Sequence, residues 1–197
     1  MTMRSATAPI GGIVLAAGES HRMGRNKLLL PLAGEPLVRR ACRRGLAAGL
    51  DPLIVVVGHE ADRVQESLTG LDCRFILNAD VGGPMSGSLH RGLGGLPAEA
   101  QGVVIMLADM VNVTEQMLRA LVLSAQTSTA LLVCSRYAGT LAPPVLFRRA
   151  LFEDLFASTG EGCGKAVVEH HREHALYIDW PGAALVDVDT PEEFASL

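Results

Sequence analysis

Five continuous apolar runs constrain the fold more than any other feature of the chain. They lie at 13–16, 53–57, 75–77, 103–107 and 130–134. Between them run stretches of helical character. At 36–50, Leu37, Val38, Ala41 and Cys42 share one face, and Arg39, Arg40, Arg43 and Arg44 the other. Pro36 suits the first turn of that helix and Gly49 its end. The four arginines either form a solvated face or bind an anion. Unbroken apolar strands alternating with amphipathic helices predict an α/β protein with a mostly parallel sheet covered on both faces.

A chain of 197 residues with 49% hydrophobic content is large enough for a sizeable core. We expect a flexible tail at 1–9 and a single domain at 10–197. A net charge of −4 provides no basic field for nucleic acid. No run approaches the ~20 apolar residues of a membrane span, and the first nine residues lack the apolar core of a signal peptide. Cys42, Cys73, Cys134 and Cys163 are widely spaced, without a C-x-x-C pair, which fits free thiols in a reducing cytoplasm.

The first strand leads into Leu15-Ala16-Ala17-Gly18-Glu19-Ser20-His21-Arg22-Met23-Gly24-Arg25-Asn26-Lys27. A long, small-residue, basic loop leaving a first strand has the shape of a phosphate site. Gly18 and Gly24 let the backbone approach a ligand, and backbone amides, Arg22 and Lys27 present positive charge to it. The spacing fits neither a Walker A loop nor the G-x-G-x-x-G fingerprint. We read the loop as a triphosphate site.

Four other segments carry polar groups toward strand ends. Gly58-His59-Glu60 follows the second strand, and His59 is either a ligand contact or a plain turn residue. Gly82-Gly83-Pro84 forces a turn and places Ser86, Gly87 and Ser88 at a helix start, suited either to a nucleobase edge or to ordinary capping. Asp109 lies just past the fourth strand, where ligands bind in such sheets, and a carboxylate there is a natural Mg²⁺ ligand. Thr114 is the better start for the helix that follows. Residues 186–189, with Asp187 and Asp189, read as a strand end before a helix with Thr190 as cap and Pro191 at its first position. The two aspartates are either caps or, if the sheet brings them beside Asp109, sharers of its metal. Gly139–Val145 reads as a stiff loop joining a helix at 148–156, and the turn at 160–165 offers Lys165 to a phosphate. His170-His171-Arg172-Glu173-His174 fits a zinc-protease pattern but reads as the surface of a late helix.

With Leu15-Ala16-Ala17-Gly18-x-x-x-Arg22-Met23-Gly24-x-x-Lys27 beside Asp109, the chain resembles the MobA-like nucleotidyltransferase superfamily, in its molybdenum cofactor cytidylyltransferase branch. The turn from Gly83 to Leu89, the segment Pro143 to Phe147 and Asp187 to Glu193 follow in the family's order. The resemblance implies a three-layer Rossmann-like nucleotidyltransferase fold. It implies transfer of CMP from CTP to the terminal phosphate of molybdopterin, with Mg²⁺ and release of pyrophosphate. By motif matching, Arg22, Lys27 and Asp109 carry the chemistry, and Asp109 holds metal with Asp189 or Asp187. Leu15, Ala16, Ala17, Gly18, Met23, Gly24, Ser86, Gly87 and Ser88 join Arg22 and Lys27 around the nucleotide. Pro143, Pro144, Glu161 and Lys165 fall on the acceptor side. The Ala16-Ala17 pair goes with CTP. Two departures stand out: Val111 replaces a common proline, and Gly160-Glu161-Gly162-Cys163 replaces Gly-Asp-x-Gly. A guanylyl- or other nucleotidyltransferase with a different acceptor stays open, as does a non-catalytic maturation factor for a molybdoenzyme client.

Overall fold

The structure is a computed structural model that describes residues 9–161 and 163–197. The tail expected at 1–9 lies, except for Pro9, outside the described residues, as does Gly162. In chain order the strands are β1 (Ile10–Ala16), β2 (Pro31–Leu32), β3 (Glu35–Pro36), β4 (Leu53–Val57), β5 (Cys73–Leu77), β6 (Gly102–Leu107), β7 (Leu132–Tyr137), β8 (Thr140–Arg148) and β9 (Ala175–Trp180). The helices are α1 (Leu37–Ala47), α2 (Ala61–Ser67), α3 (Met85–Gly94), α4 (Glu115–Thr127), α5 (Phe152–Ala157), α6 (Cys163–His170) and α7 (Pro191–Ala195). β2 and β3 form a small antiparallel pair. The other seven strands form one sheet in the order β5-β4-β1-β6-β8-β7-β9. Only β8 runs against the rest, pairing antiparallel with both β6 and β7.

Strand alternation divides the apolar residues between two cores. Ile13, Ile54, Val56, Val103 and Ile105 face α3, α5 and α6, whose Leu89, Leu155 and Val168 complete that cluster. Val14, Val55, Val104 and Met106 face α1, α2 and α4, with Val38, Val64 and Leu118. The expected sheet, covered on both faces, follows from this period of two. Thr114 caps α4 by accepting from the Met117 amide at 3.2 Å, as expected.

Three expectations are corrected. The segment read as a stiff loop at 139–145 is mostly β8. Its prolines sit where pairing to β6 has ended at Ile105–Val145 and where the register with β7 breaks between Cys134 and Arg136. Proline removes no ladder bond at such an irregularity. The helix expected at 148–156 starts later, as a 3-10 turn at Arg149–Leu151 followed by α5. Residues 186–189 are not a strand end; they are an extended segment leading to α7.

The arginine face of α1 is structural for three of its four members. Arg39 donates to the Ser67 and Thr69 carbonyls, Arg44 to those of Val111 and Val113, and Arg43 pairs with Glu35. Cys42, Cys73 and Cys134 are free thiols, and burial pushes Cys134 up to about 12. Among the described residues no helix is long and apolar enough to cross a membrane.

Candidate active site

The loop after β1 leaves the carboxyl end of a central strand and folds on itself. Ser20 and Gly24, both left-handed, bracket a 3-10 turn at His21–Met23. Ser20 Oγ accepts from the Lys27 amide at 3.2 Å. Buried Asn26 accepts from the Leu28 amide at 3.1 Å and donates to the His59 carbonyl at 3.3 Å. Among the described residues, the amides of Gly18, Glu19, His21 and Arg22 find no acceptor in the protein. An added Cβ on Gly18 would meet open space, so this stretch of backbone is bare toward the cleft. Such free amides form an anion site.

Gly58 seats the start of the loop. A Cβ there would lie 2.8 Å from the Ala17 carbonyl oxygen and 3.1 Å from its Cα. The obstacle is backbone, so the loop itself must move. Gly58→Ala is expected to cost ~1–3 kcal/mol of stability and to weaken nucleotide binding. Urea unfolding and nucleotide titration of the variant check this. His59 is held by this turn and does not border the cleft.

The charged residues converge because their apolar neighbours do. Met23, Leu30, Leu37, Val111 and Val188 form one small buried cluster. Met23 adjoins Arg22, Val111 lies just past Asp109, and Val188 precedes Asp189. Burying this cluster brings three distant segments together. The Val111 amide donates to the Val186 carbonyl at 3.2 Å, a bond that a proline at this position could not make. Glu193 then fixes the Asp189 backbone: its carboxylate accepts from the Asp189 and Thr190 amides at 2.8 and 2.9 Å.

Lys27 Nζ lies 2.6 Å from Asp109 Oδ2 and 2.6 Å from Asp189 Oδ1. Arg22 Nη2 lies 2.5 Å from Asp189 Oδ2. Burial works against the Lys27 charge, but Asp109 and then Asp189 outweigh it and hold the ammonium above its ordinary value. The Lys27 hydrogen bond holds the Asp189 carboxyl below its usual range, against burial and with added help from Arg22. A lowered carboxyl stabilises the fold above its unfolded value near ~4, and that stabilisation is lost as pH falls through the lowered value. The urea midpoint of the wild type is therefore expected to fall more steeply than that of Asp189→Asn between about pH 5 and about pH 2.

Asp109 Oδ1 is buried with no hydrogen-bond partner. An unsatisfied carboxylate oxygen at a strand end calls for a cation or donor from outside the protein. Among the described residues no group of three metal-binding side chains exists. Two carboxylates facing a phosphate site suit Mg²⁺, which takes one or two protein carboxylates and leaves its other positions to phosphate oxygens and water.

A cleft of about 530 Å³ opens at this point. Leu15, Ala16, Ala17, Gly18, Arg22, Lys27, Ser88, Asp109 and Asp189 line it. Met23 is instead buried beneath the loop, and Gly24 caps its turn. Ser86 and Gly87 do not border the cleft; Ser86 binds the Gly160 amide through Oγ at 3.1 Å. Asp187 is exposed and also outside it. A second chamber of about 250 Å³, almost wholly apolar, adjoins the first and shares Leu15, Met85, Leu107 and Glu161 with it. Pro143 and Lys165 line this chamber and Pro144 does not. Sequence reasoning missed Asn78, Asp80 and Glu19 in the cleft wall. Asn78 and Asp80 follow an apolar run in a sheet of this type, the same signal that marked Asp109.

An α/β sheet whose first-strand loop carries free amides and pairs Arg22 and Lys27 with two carboxylates is, with the family match that follows, that of a nucleotidyltransferase. The chain belongs to the family with the MobA-like NTP transferase domain, which matches residues 12–175. It is 30% identical over 193 residues to the purine catabolism protein PucB of Bacillus subtilis, covering 93% of each chain. It is 31% identical over 109 residues to a probable molybdenum cofactor guanylyltransferase of Opitutus terrae, covering 55% of this chain and 52% of that one. Among solved structures it resembles Rv0371c of Mycobacterium tuberculosis with a TM-score of 0.86 and 27% identity, over 96% and 98% of the two chains. A manganese complex of Rv0371c matches with a TM-score of 0.79 and 28% identity, over 96% and 97% of the two chains.

Proposed function

We propose that the protein is a cytoplasmic, Mg²⁺-dependent cytidylyltransferase whose catalytic unit is residues 10–197. It moves CMP from CTP to the terminal phosphate of molybdopterin and releases pyrophosphate for the maturation of a molybdoenzyme client. The observation that carries the reading is the meeting of Arg22, Lys27, Asp109 and Asp189 at one end of the cleft. The Ala16-Ala17 wall supports CTP, and the relative named for molybdenum cofactor chemistry supports the acceptor.

In this reaction an acceptor phosphate oxygen attacks the α-phosphorus of CTP in line. The bond from that phosphorus to the bridging oxygen breaks, and pyrophosphate leaves with the electron pair. Arg22, Lys27 and the free loop amides bind the triphosphate and offset the charge that develops on it. Asp109 and Asp189 would hold Mg²⁺, which supplies further charge neutralisation when bound. Glu161 and Lys165, at the second chamber, orient the acceptor, and Pro143 shapes its wall.

The test is pyrophosphate release with Mg²⁺, molybdopterin and each of CTP, GTP, ATP and UTP in turn. Release with CTP and molybdopterin together, and with neither alone, is the expected result. Faster release with GTP would reassign the nucleotide. None with any of the four would remove molybdopterin as acceptor.

A further inference from the structure

Asn78 directly follows β5, is 3% exposed and lies in the cleft wall. Its side-chain amide is held at both ends. The Asp80 backbone N–H donates to Oδ1 at 3.1 Å. A backbone N–H can only donate, so the carbonyl end of Asn78 must lie there. The NH₂ end then faces Ser88, with Nδ2 2.9 Å from Oγ. An amide NH₂ also can only donate, so Ser88 Oγ accepts. A serine hydroxyl has one proton of its own, and that proton is left over. Ser67 and Ser128 return theirs to backbone carbonyls three and four residues back. Ser88 does not, and among the described residues no acceptor takes its proton. Ser88 is 7% exposed, and the face that it shows borders the cleft.

We infer that Asn78 is a positioning residue that holds Ser88 Oγ and keeps its proton available for donation to the bound base. The pair thereby suits a nucleobase edge that offers a lone pair at that point, a ring carbonyl or an unprotonated ring nitrogen. This rests on the reading of the cleft as a nucleotide site and adds to it one donor proton and the residue that preserves it. Asn78 occupies one of the two lone pairs of the hydroxyl and cannot accept its proton, so the proton stays available on the cleft side. The cytosine ring, with a carbonyl beside an unprotonated nitrogen, presents such an edge.

Asn78→Asp is the informative substitution. It keeps the size and the contact to the Asp80 amide but replaces the NH₂ by an oxygen. Ser88 would then donate to Asp and turn its lone pairs to the cleft. Calorimetry should compare the wild type, Asn78→Asp, Ser88→Ala and the double variant, each with CTP and with inorganic tripolyphosphate. Ser88→Ala is expected to weaken CTP about tenfold, the loss of one directed hydrogen bond. Asn78→Asp should weaken CTP at least as much when Ser88 is present. In the Ser88→Ala background it should cost no more than about twofold, the share due to the added charge alone. Tripolyphosphate has no base and should show only that small charge effect.

Equal losses from Asn78→Asp in both backgrounds would overturn the inference, because Asn78 would then act without the hydroxyl. So would a fall in tripolyphosphate affinity as large as that for CTP, which marks a general scaffold role. If Asn78→Asp does not fold, an unchanged CTP affinity in Ser88→Ala overturns it instead. Should the wild type prefer another nucleoside triphosphate, CTP fails as the substrate. The same cycle run with the preferred nucleotide still decides whether Asn78 acts through the Ser88 proton.

Discussion

Asp109→Asn is expected to lower turnover by about a thousandfold while leaving the melting temperature within a few degrees of wild type. The substitution keeps shape and removes charge. At the end of β6 that charge faces Lys27 at 2.6 Å through Oδ2, while Oδ1 is buried without a partner. Losing one group aimed at charge that develops in the transition state costs about 10²–10³ in rate, and weaker metal binding adds to it. The fold loses little, because Lys27 keeps Asp189 at 2.6 Å. We expect a cost of about 1 kcal/mol. Pyrophosphate release and a thermal melt, read together, check both halves. Wild-type turnover would remove Asp109 from the metal site.

Lys27→Met should have the second largest effect, and in two opposite directions. Turnover should fall by about a hundredfold, because a cation is withdrawn from the triphosphate. Affinity for Mn²⁺ alone, without nucleotide, should rise by about tenfold. In the ligand-free fold the Lys27 ammonium sits 2.6 Å from one oxygen of each carboxylate. An incoming divalent ion must compete with it, and the two carboxylates hold the Lys27 ammonium above its ordinary value. Removing the ammonium leaves two carboxylates near each other, whose repulsion a divalent ion relieves. Electron paramagnetic resonance of free Mn²⁺ measures this without reference to activity. Unchanged or weaker Mn²⁺ binding would mean that Lys27 does not occupy the ion's place.

Much of the fold is legible from local pattern. The runs at 53–57 and 103–107 are β4 and nearly all of β6, since unbroken apolar residues have few places to go except between two helical layers. Thr190 with Glu193, and Thr114 with its following helix, are legible because a cap acts within a single turn. β8 is not legible. Its two prolines argue against a strand, and only the end of the pairing with β6 and the bulge in β8 itself make them harmless. β9 is an edge strand of half-buried residues beside β7, with too little apolar contrast to announce itself.

The same division runs through the candidate site. Arg22, Lys27 and Asp109 stand out by position, as charged residues just past apolar strands. The partner of Lys27 does not, for Asp189 lies 162 residues away. The choice between Asp187 and Asp189 is made by Val188, which joins Met23 and Val111 in one buried cluster while Asp187 is left exposed. Met23 shows the converse: its place in the motif suggests a ligand contact, yet its side chain anchors the loop from below.

The sequence by itself thus determined the α/β class, the strand-and-helix order of the first half and the basic loop as the candidate anion site. These depend on periodicity, capping and charge within a few residues of each other. Only the tertiary structure decided which acid faces Lys27, that Asn78 holds Ser88, that Ser86 binds the Gly160 turn, and that an apolar chamber adjoins the cleft. Those are contacts between residues far apart in the chain. They are set by which apolar surfaces are buried together, a property of the whole packed core that no single stretch of residues carries.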